Sequence, residues 1–348
     1  MTASSSPTAS SSRTATFLLR QPRQVQGYRE LLHPIDGAHS PLDSPASEPT
    51  PGTEPPALTM LWIPPGRFWM GSPETEPERL DREGPQHLVQ LQGFFMGQTP
   101  ISQAQWRQVA TWTPQPGERW GRQLDPQPSF FQPLSNPNAR SFGEGRFALL
   151  PAETNSDLRP VDNVSWHDAI EFCSRLSQRT GRNYTLPAEA QWEYACRAAT
   201  TTPFHFGPTL SVALANYNGN FSYANGPKGT YRQQTTPVAM FPANAWGLHD
   251  MHGNVLEWCL DHWHDSYEGA PTDGRPWLNS PAPTNNATTK PGNDSSLDGT
   301  PRLLRGGSWG SNPRYCRSAY RNHYRPVNAD LYVGFRVVCL PQDPSLNP

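Results

Sequence analysis

Proline or glycine breaks this chain every few residues: 40 prolines and 27 glycines occur in 348 positions. Proline fixes φ and has no amide proton to donate, while glycine loses the most backbone entropy on ordering, so neither suits the interior of a helix or a central strand. A compact helical protein is thereby excluded. The class that remains is α+β, with few helices, short strands and many loops. Side chains must hold so irregular a backbone together, and 12 Trp, 11 Tyr and 14 Phe supply large anchors.

Charge and cysteine usage narrow the class further. A net charge of −2 argues against general affinity for nucleic acid or an anionic membrane. No apolar run approaches membrane-spanning length. The start of the chain lacks the basic and then apolar pattern of a secretory signal, which makes a cytoplasmic location the expectation. Cys173, Cys196, Cys259, Cys316 and Cys339 are odd in number and form no CxxC pair, as expected of free thiols.

Residues 1–57 read as two low-complexity tracts around a short piece, FLLRQPRQVQGYRELL, that can pack on the main body. The domain proper is expected over 58–340, with 341–348 as a tail. LWIPPGRFWMGS and HLVQLQGFFMG carry the alternation of short strands bounded by Gly and Pro. In VSWHDAIEFCSRLSQRTGR, Ser165 and Asp168 have capping-box spacing, Ala169, Phe172, Cys173 and Leu176 form one stripe, and Gly181 stands where a C-terminal cap belongs. A second helix is expected in LPAEAQWEYACRAA, and a long polar loop near Asn279–Gly299.

Four ordered stretches resemble one family: FWMGSPETEPERLDREGPQHLVQLQGFFMGQTPISQAQW, PVDNVSWHDAIEFCSRLSQRTGRNYTLPAEAQWEYACRA, NAWGLHDMHGNVLEWCLDHW and LRGGSW…VGFRV. They are similar to the sulfatase-modifying-factor family, founded on formylglycine-generating enzymes. The resemblance implies a variant of the C-type lectin fold. Oxidase members use two cysteines near this C-terminal stretch to bind copper. Here Ser311 falls at the first position and Cys316 at the second, and a hydroxyl is a poor ligand for soft Cu(I), so no copper is expected. The iron-dependent branch needs an extra helical domain, for which residues 1–58 are too short and too polar. His249, His252, His262 and His264 are candidate ligands, weighed against loop hydrogen bonding, which is preferred. In DMHGNVLEW the resemblance implies structural calcium held by Asp250, Glu257 and the backbone at Gly253 and Val255. A second family calcium site does not map onto NYNGNFSYANGPKGTY, where Lys228 falls near an expected acid. Glu189 and Glu193 are four apart on one helix and are assigned to the scaffold. No GxSxG, P-loop, HExxH or dinucleotide fingerprint is present.

The final stretch, GGSWGSNPRYCRSAYRNHYRPVNADLYVGFRVV, has a closer likeness inside the family. It resembles the variable proteins of diversity-generating retroelements, in which a reverse transcriptase copies a template repeat and randomises its adenines. The variable region would span about 305–338. RGGSW, NPR, CRSA and GFRV keep the constant frame, and departures fall at or beside the template's asparagine codons. The expected ligand-facing residues are Gly310, Ser311, Tyr315, Tyr320, Asn322, His323, Tyr324, Arg325, Val327, Ala329, Asp330, Leu331 and Tyr332. Altering the first two bases of AAC or AAT cannot give Trp, Met, Lys, Gln or Glu, and none of the five occurs from Gly310 to Val338. Tyr, Ser, Asn and Gly are also the residues that adaptable binding surfaces favour. Interleaved Arg and Tyr admit a single-stranded nucleic-acid platform as a rival. Arg314, Arg317 and Arg321, however, belong to the frame and are assigned to buttress it. The expected function is binding of a selected ligand, a protein, without catalysis. The alternative is a formylglycine-generating-type or iron-dependent oxidoreductase with altered metal ligands.

Overall fold

The computed structural model describes residues 25–32, 56–133, 150–151, 153–279 and 299–341. Eleven short strands and three helices among these residues form the α+β fold expected. The predicted strands are present as β2 (Ala57–Ile63), β3 (Gly66–Met70), β4 (His87–Leu91) and β5 (Phe94–Gly97). The short piece expected ahead of the domain contributes β1 (Gly27–Leu31), antiparallel to β2, and Tyr28 Oη lies 2.9 Å from Tyr184 Oη. The domain's main sheet therefore begins before residue 58. Residues 1–24 and 33–55, the centre of the polar loop and all but Pro341 of the 341–348 tail lie outside the described residues.

Helix α1 (Gln103–Ala110) was not foreseen. Its signal was present, because Ser102 and Gln105 form a reciprocal capping box. Helix α2 (Trp166–Thr180) has the predicted Ser165–Asp168 box, and Gly181 ends it at φ +71°. Helix α3 (Glu189–Arg197) follows β6 (Asn183–Thr185). Trp106 of α1 stacks on Phe172 of α2 at 5.6 Å, and Phe335 meets both rings edge-on, at 6.0 and 5.3 Å.

The C-terminal segment ties two sheets together. One sheet has the order β10-β7-β8-β9, from β7 (Leu256–His262), β8 (Arg302–Arg305), β9 (Asn322–Tyr324) and β10 (Val333–Gly334). The other has the order β1-β2-β5-β11-β6 and receives β11 (Val338–Leu340) between β5 and β6. The chain leaves β8, loops out, returns as the β9 edge, loops again, and reaches β10 on the opposite edge before β11. Orderly borders thus pin an irregular middle at both ends. Among the described residues no helix is long and apolar enough to cross a membrane.

Candidate functional site

The frame of the segment is buried and built on charge. Arg305, fully buried, donates to Glu189 at 2.7 Å and to Glu193 at 2.6 Å. Arg321 grips the same Glu189 at 2.7 and 3.0 Å. Burial alone would raise the Glu189 carboxyl, but Arg321 and Arg305 outweigh it and hold the group below the usual range. Arg317 reaches Glu76 at 2.6 Å and both oxygens of Glu83 at 2.6 and 2.7 Å. Arg336 grips Glu257 through two contacts of 2.6 and 2.7 Å. Such bidentate pairs fix orientation, and buried charges matched in this way avoid the cost of an unpaired ion. Glu189 and Glu193 are scaffold, as expected. Arg314 is half-exposed, 3.6 Å from Glu78, with its guanidinium over the Tyr315 ring.

Gly307 needs its missing side chain. It sits at φ +73°, and a Cβ there would lie 2.6 Å from Cys316 Sγ. Trp309 is wholly buried, edge-on to Phe131 at 5.4 Å, with Tyr332 above it at 4.7 Å.

The thirteen predicted ligand-facing residues divide sharply from this frame: twelve are exposed or partly exposed. Arg325, Val327 and Ala329 are exposed in and beside one turn, Val327 at 69%. Asn322, His323 and Tyr324 form the β9 edge strand. Tyr320 is the correction. It is buried, packed at 4.9 Å on Tyr315, with its hydroxyl accepting from Arg82. Two others serve the backbone as well as the surface. Ser311 Oγ accepts from Ser308 N at 2.9 Å, and the Asp330 carboxylate accepts from Tyr332 N at 3.0 Å. Gly310 lies under the Tyr332 ring.

Residues outside the segment border the same surface and were missed from sequence. Trp263 packs on His323 at 4.3 Å, Arg82 lies over Trp263 and Tyr320, and Tyr231 flanks Trp309. Only tertiary structure brings Arg82 to a segment more than two hundred residues on. Trp263 stood between two histidines that drew attention as ligands instead.

Several residues at the implied metal positions are already engaged within the protein. Both Glu257 oxygens are engaged by Arg336, and Oε2 also accepts from the Trp192 indole at 2.7 Å. Asp250 accepts from Ala239 N, and burial raises its carboxyl to about 6. The Gly253 amide, not the carbonyl that calcium would use, is bonded to Gly306 O. Calcium would have the Gly253 and Val255 carbonyls and a partly committed Asp250, with Glu257 already matched by Arg336. At the copper positions, Ser311 is tied to Ser308, and burial in an apolar cluster pushes the Cys316 thiol well above its ordinary range. With a hydroxyl where the first thiolate would stand, this is a poor Cu(I) site. The histidines satisfy loops. His252 accepts from His205 N at 3.0 Å and bonds Cys316 O at 2.7 Å, and His249 bonds Phe241 O. His262 accepts from Asn279 N, and His264 stacks on Trp277 at 3.6 Å. Among the described residues no three metal-binding side chains cluster, and all five cysteines are free and buried.

Two sheets joined by a long looped excursion, over a buried Arg–Glu frame, define an irregular α+β fold that presents one loop-built face. The sulfatase-modifying factor enzyme 1-like domain matches residues 45–340, and the chain belongs to that family. The formylglycine-generating enzyme of Mycobacterium tuberculosis is 31% identical over 311 residues, covering 80% of this chain and 97% of its own. The structure of PvdO from Pseudomonas aeruginosa superposes with a TM-score of 0.58 at 29% identity, over 82% of this chain and 95% of its own. Variable protein 1 of Treponema denticola shares the fold, with a TM-score of 0.54 at 22% identity over 82% and 96% of the two chains.

Proposed function

We propose that this protein binds a selected ligand, a protein, through a C-terminal surface diversified by adenine-directed retroelement mutagenesis, and that it is not an enzyme. One observation carries the reading. The positions that depart from an asparagine-rich template lie at the surface, Tyr320 excepted, while frame residues between them, such as Arg317, Arg321 and Cys316, are buried. Mutagenesis confined to such positions changes what the surface offers and leaves the core intact. The missing Trp, Met, Lys, Gln and Glu support the same reading from the genetic code. The likeness to the Treponema protein is one of fold, so the reading rests on these residues. A location in the cytoplasm goes with it, as does the absence of copper.

The neighbouring DNA tests the proposal. A near-identical non-coding copy of the segment from Arg305 to Val338 should lie nearby, with asparagine codons opposite most of Tyr315, Tyr320, His323, Tyr324, Leu331 and Tyr332. A reverse-transcriptase gene should accompany it. A copy whose mismatches spread evenly over all four bases would indicate simple duplication and sink the idea. The 31% identity to a formylglycine-generating enzyme favours one second reading, an oxidoreductase with altered metal ligands. Formylglycine detected by mass spectrometry in a sulfatase-type peptide would establish it.

A further inference from the structure

Arg82 lies far from the diversified segment in sequence, in the short 3-10 turn Asp81–Glu83, yet it faces that segment. Its guanidinium carbon is 5.7 Å from the Trp263 ring centre and 5.4 Å from that of Tyr320, and Nη2 donates to Tyr320 Oη at 3.3 Å. The arginines around it are matched by acids: Arg317 by Glu76 and Glu83, Arg321 by Glu189, Arg314 by Glu78. Arg82 has no carboxylate partner among the described residues, and its buried Nε has no hydrogen-bond partner there either. Nearby acids are committed, Glu83 to Arg317 and Asp265 to the Trp263 indole at 2.8 Å.

A guanidinium set beside two rings and bonded to one hydroxyl is already ordered, so closing on a ligand costs it little rotamer freedom. Its planar fork suits a carboxylate, and aromatic faces support the cation without neutralising it. A polyanion is disfavoured, because nucleic-acid binding needs several unmatched cations along a backbone. Internal glutamates have neutralised the other arginines of this corner, and the chain carries a net charge of −2.

We propose that Arg82, with Trp263 beside it, is a fixed cationic anchor for an acidic side chain of a protein partner, common to every variant built on this frame. The proposal rests on the reading of the adjoining surface as a ligand-binding one. Because Arg82 is encoded outside the segment, diversification would change its neighbours but not the anchor.

Panning a phage-displayed random peptide library on the full chain and on Arg82→Gln tests it. Peptides enriched on the wild type should be rich in Asp and Glu, and that bias should vanish on Arg82→Gln. A wild-type-selected acidic peptide should bind Arg82→Gln about tenfold more weakly or worse, with Arg82→Lys between the two. Enrichment without acidic bias, or a bias that survives Arg82→Gln, overturns the anchor and leaves the binding surface standing. A single-stranded oligonucleotide that binds through Arg82 more tightly than any selected peptide overturns the choice of a carboxylate. Failure of the folded wild type to enrich any peptide overturns the anchor and counts against the binding surface too. Unchanged melting temperatures for both variants would establish that the frame is intact, since the Arg321 contact uses Arg82 O and not its side chain.

Discussion

Arg317→Met would separate frame from surface. Arg317 donates to Glu76 and Glu83, which are 6% and 0% exposed, and also reaches Glu78 O at 3.1 Å. Methionine has similar volume but no charge, so the variant strands two carboxylates in a low-dielectric pocket. Removing one partner of a buried ion pair costs about 3–5 kcal/mol, mostly because the remaining charge has lost its match. Val327→Ala should cost within about 0.5 kcal/mol, since that side chain is 69% exposed. Urea unfolding of both variants, followed by tryptophan fluorescence, reads the two numbers on one scale. Adding Glu76→Gln and Glu83→Gln to Arg317→Met should recover part of the loss, because neutral amides no longer need the cation. A loss below about 1 kcal/mol for Arg317→Met, or a comparable loss for Val327→Ala, would refute the division into a charged frame and a free surface.

Trp309→Ala should cost about 3–5 kcal/mol in the same assay, whereas Tyr324→Ala, half-buried against the core, should cost distinctly less. Asp162 is wholly buried, with burial raising its carboxyl to about 7 against hydrogen bonds from Ser129 and Phe130 and the weaker pull of Arg159. A raised acid favours folding at low pH and loses that contribution as pH rises through about 7. Asp162→Asn should therefore gain in melting temperature relative to the wild type between pH 5 and pH 8, and a constant difference would exclude the assignment.

Local signals carried much of the fold. The Ser165–Asp168 box, the Gly181 cap and the alternation of β2 to β5 are encoded within a few residues of where they act. Helix α1 was missed although Ser102 and Gln105 announced it, because eight residues offer little periodicity. Under the proposed function, the surface positions were legible for an unusual reason: the genetic code marks them, not their physics. What could not be read was pairing across the chain. That Arg317 would meet Glu76 and Glu83, or that Arg82 would lie on Tyr320, depends on contacts separated by more than two hundred residues. Nor does anything local reveal that Arg336 would grip Glu257 across the sheet junction.

Even under the proposed randomisation, this surface is not free at every position. Tyr320 is buried, so its replacements are limited by the space between Tyr315 and Arg82. Gly310 and Tyr332 are limited by each other. A Cβ built on Gly310 would lie 2.5 Å from the Tyr332 ring, which cannot sink further because Trp309 lies beneath it at 4.7 Å. Gly310→Ala should therefore displace the ring and cost stability, and Tyr332→Ser should remove most of that cost. Contacting residues show coupling energies of about 0.5–3 kcal/mol, so a double-mutant cycle read by urea unfolding resolves the effect. Additive single and double variants would mean that the ring moves aside freely. Coupling would mean that some combinations produced by mutagenesis fail on packing before any ligand is met. Natural variants should then pair a small residue at 310 with an aromatic one at 332, or the reverse, more often than independent randomisation allows.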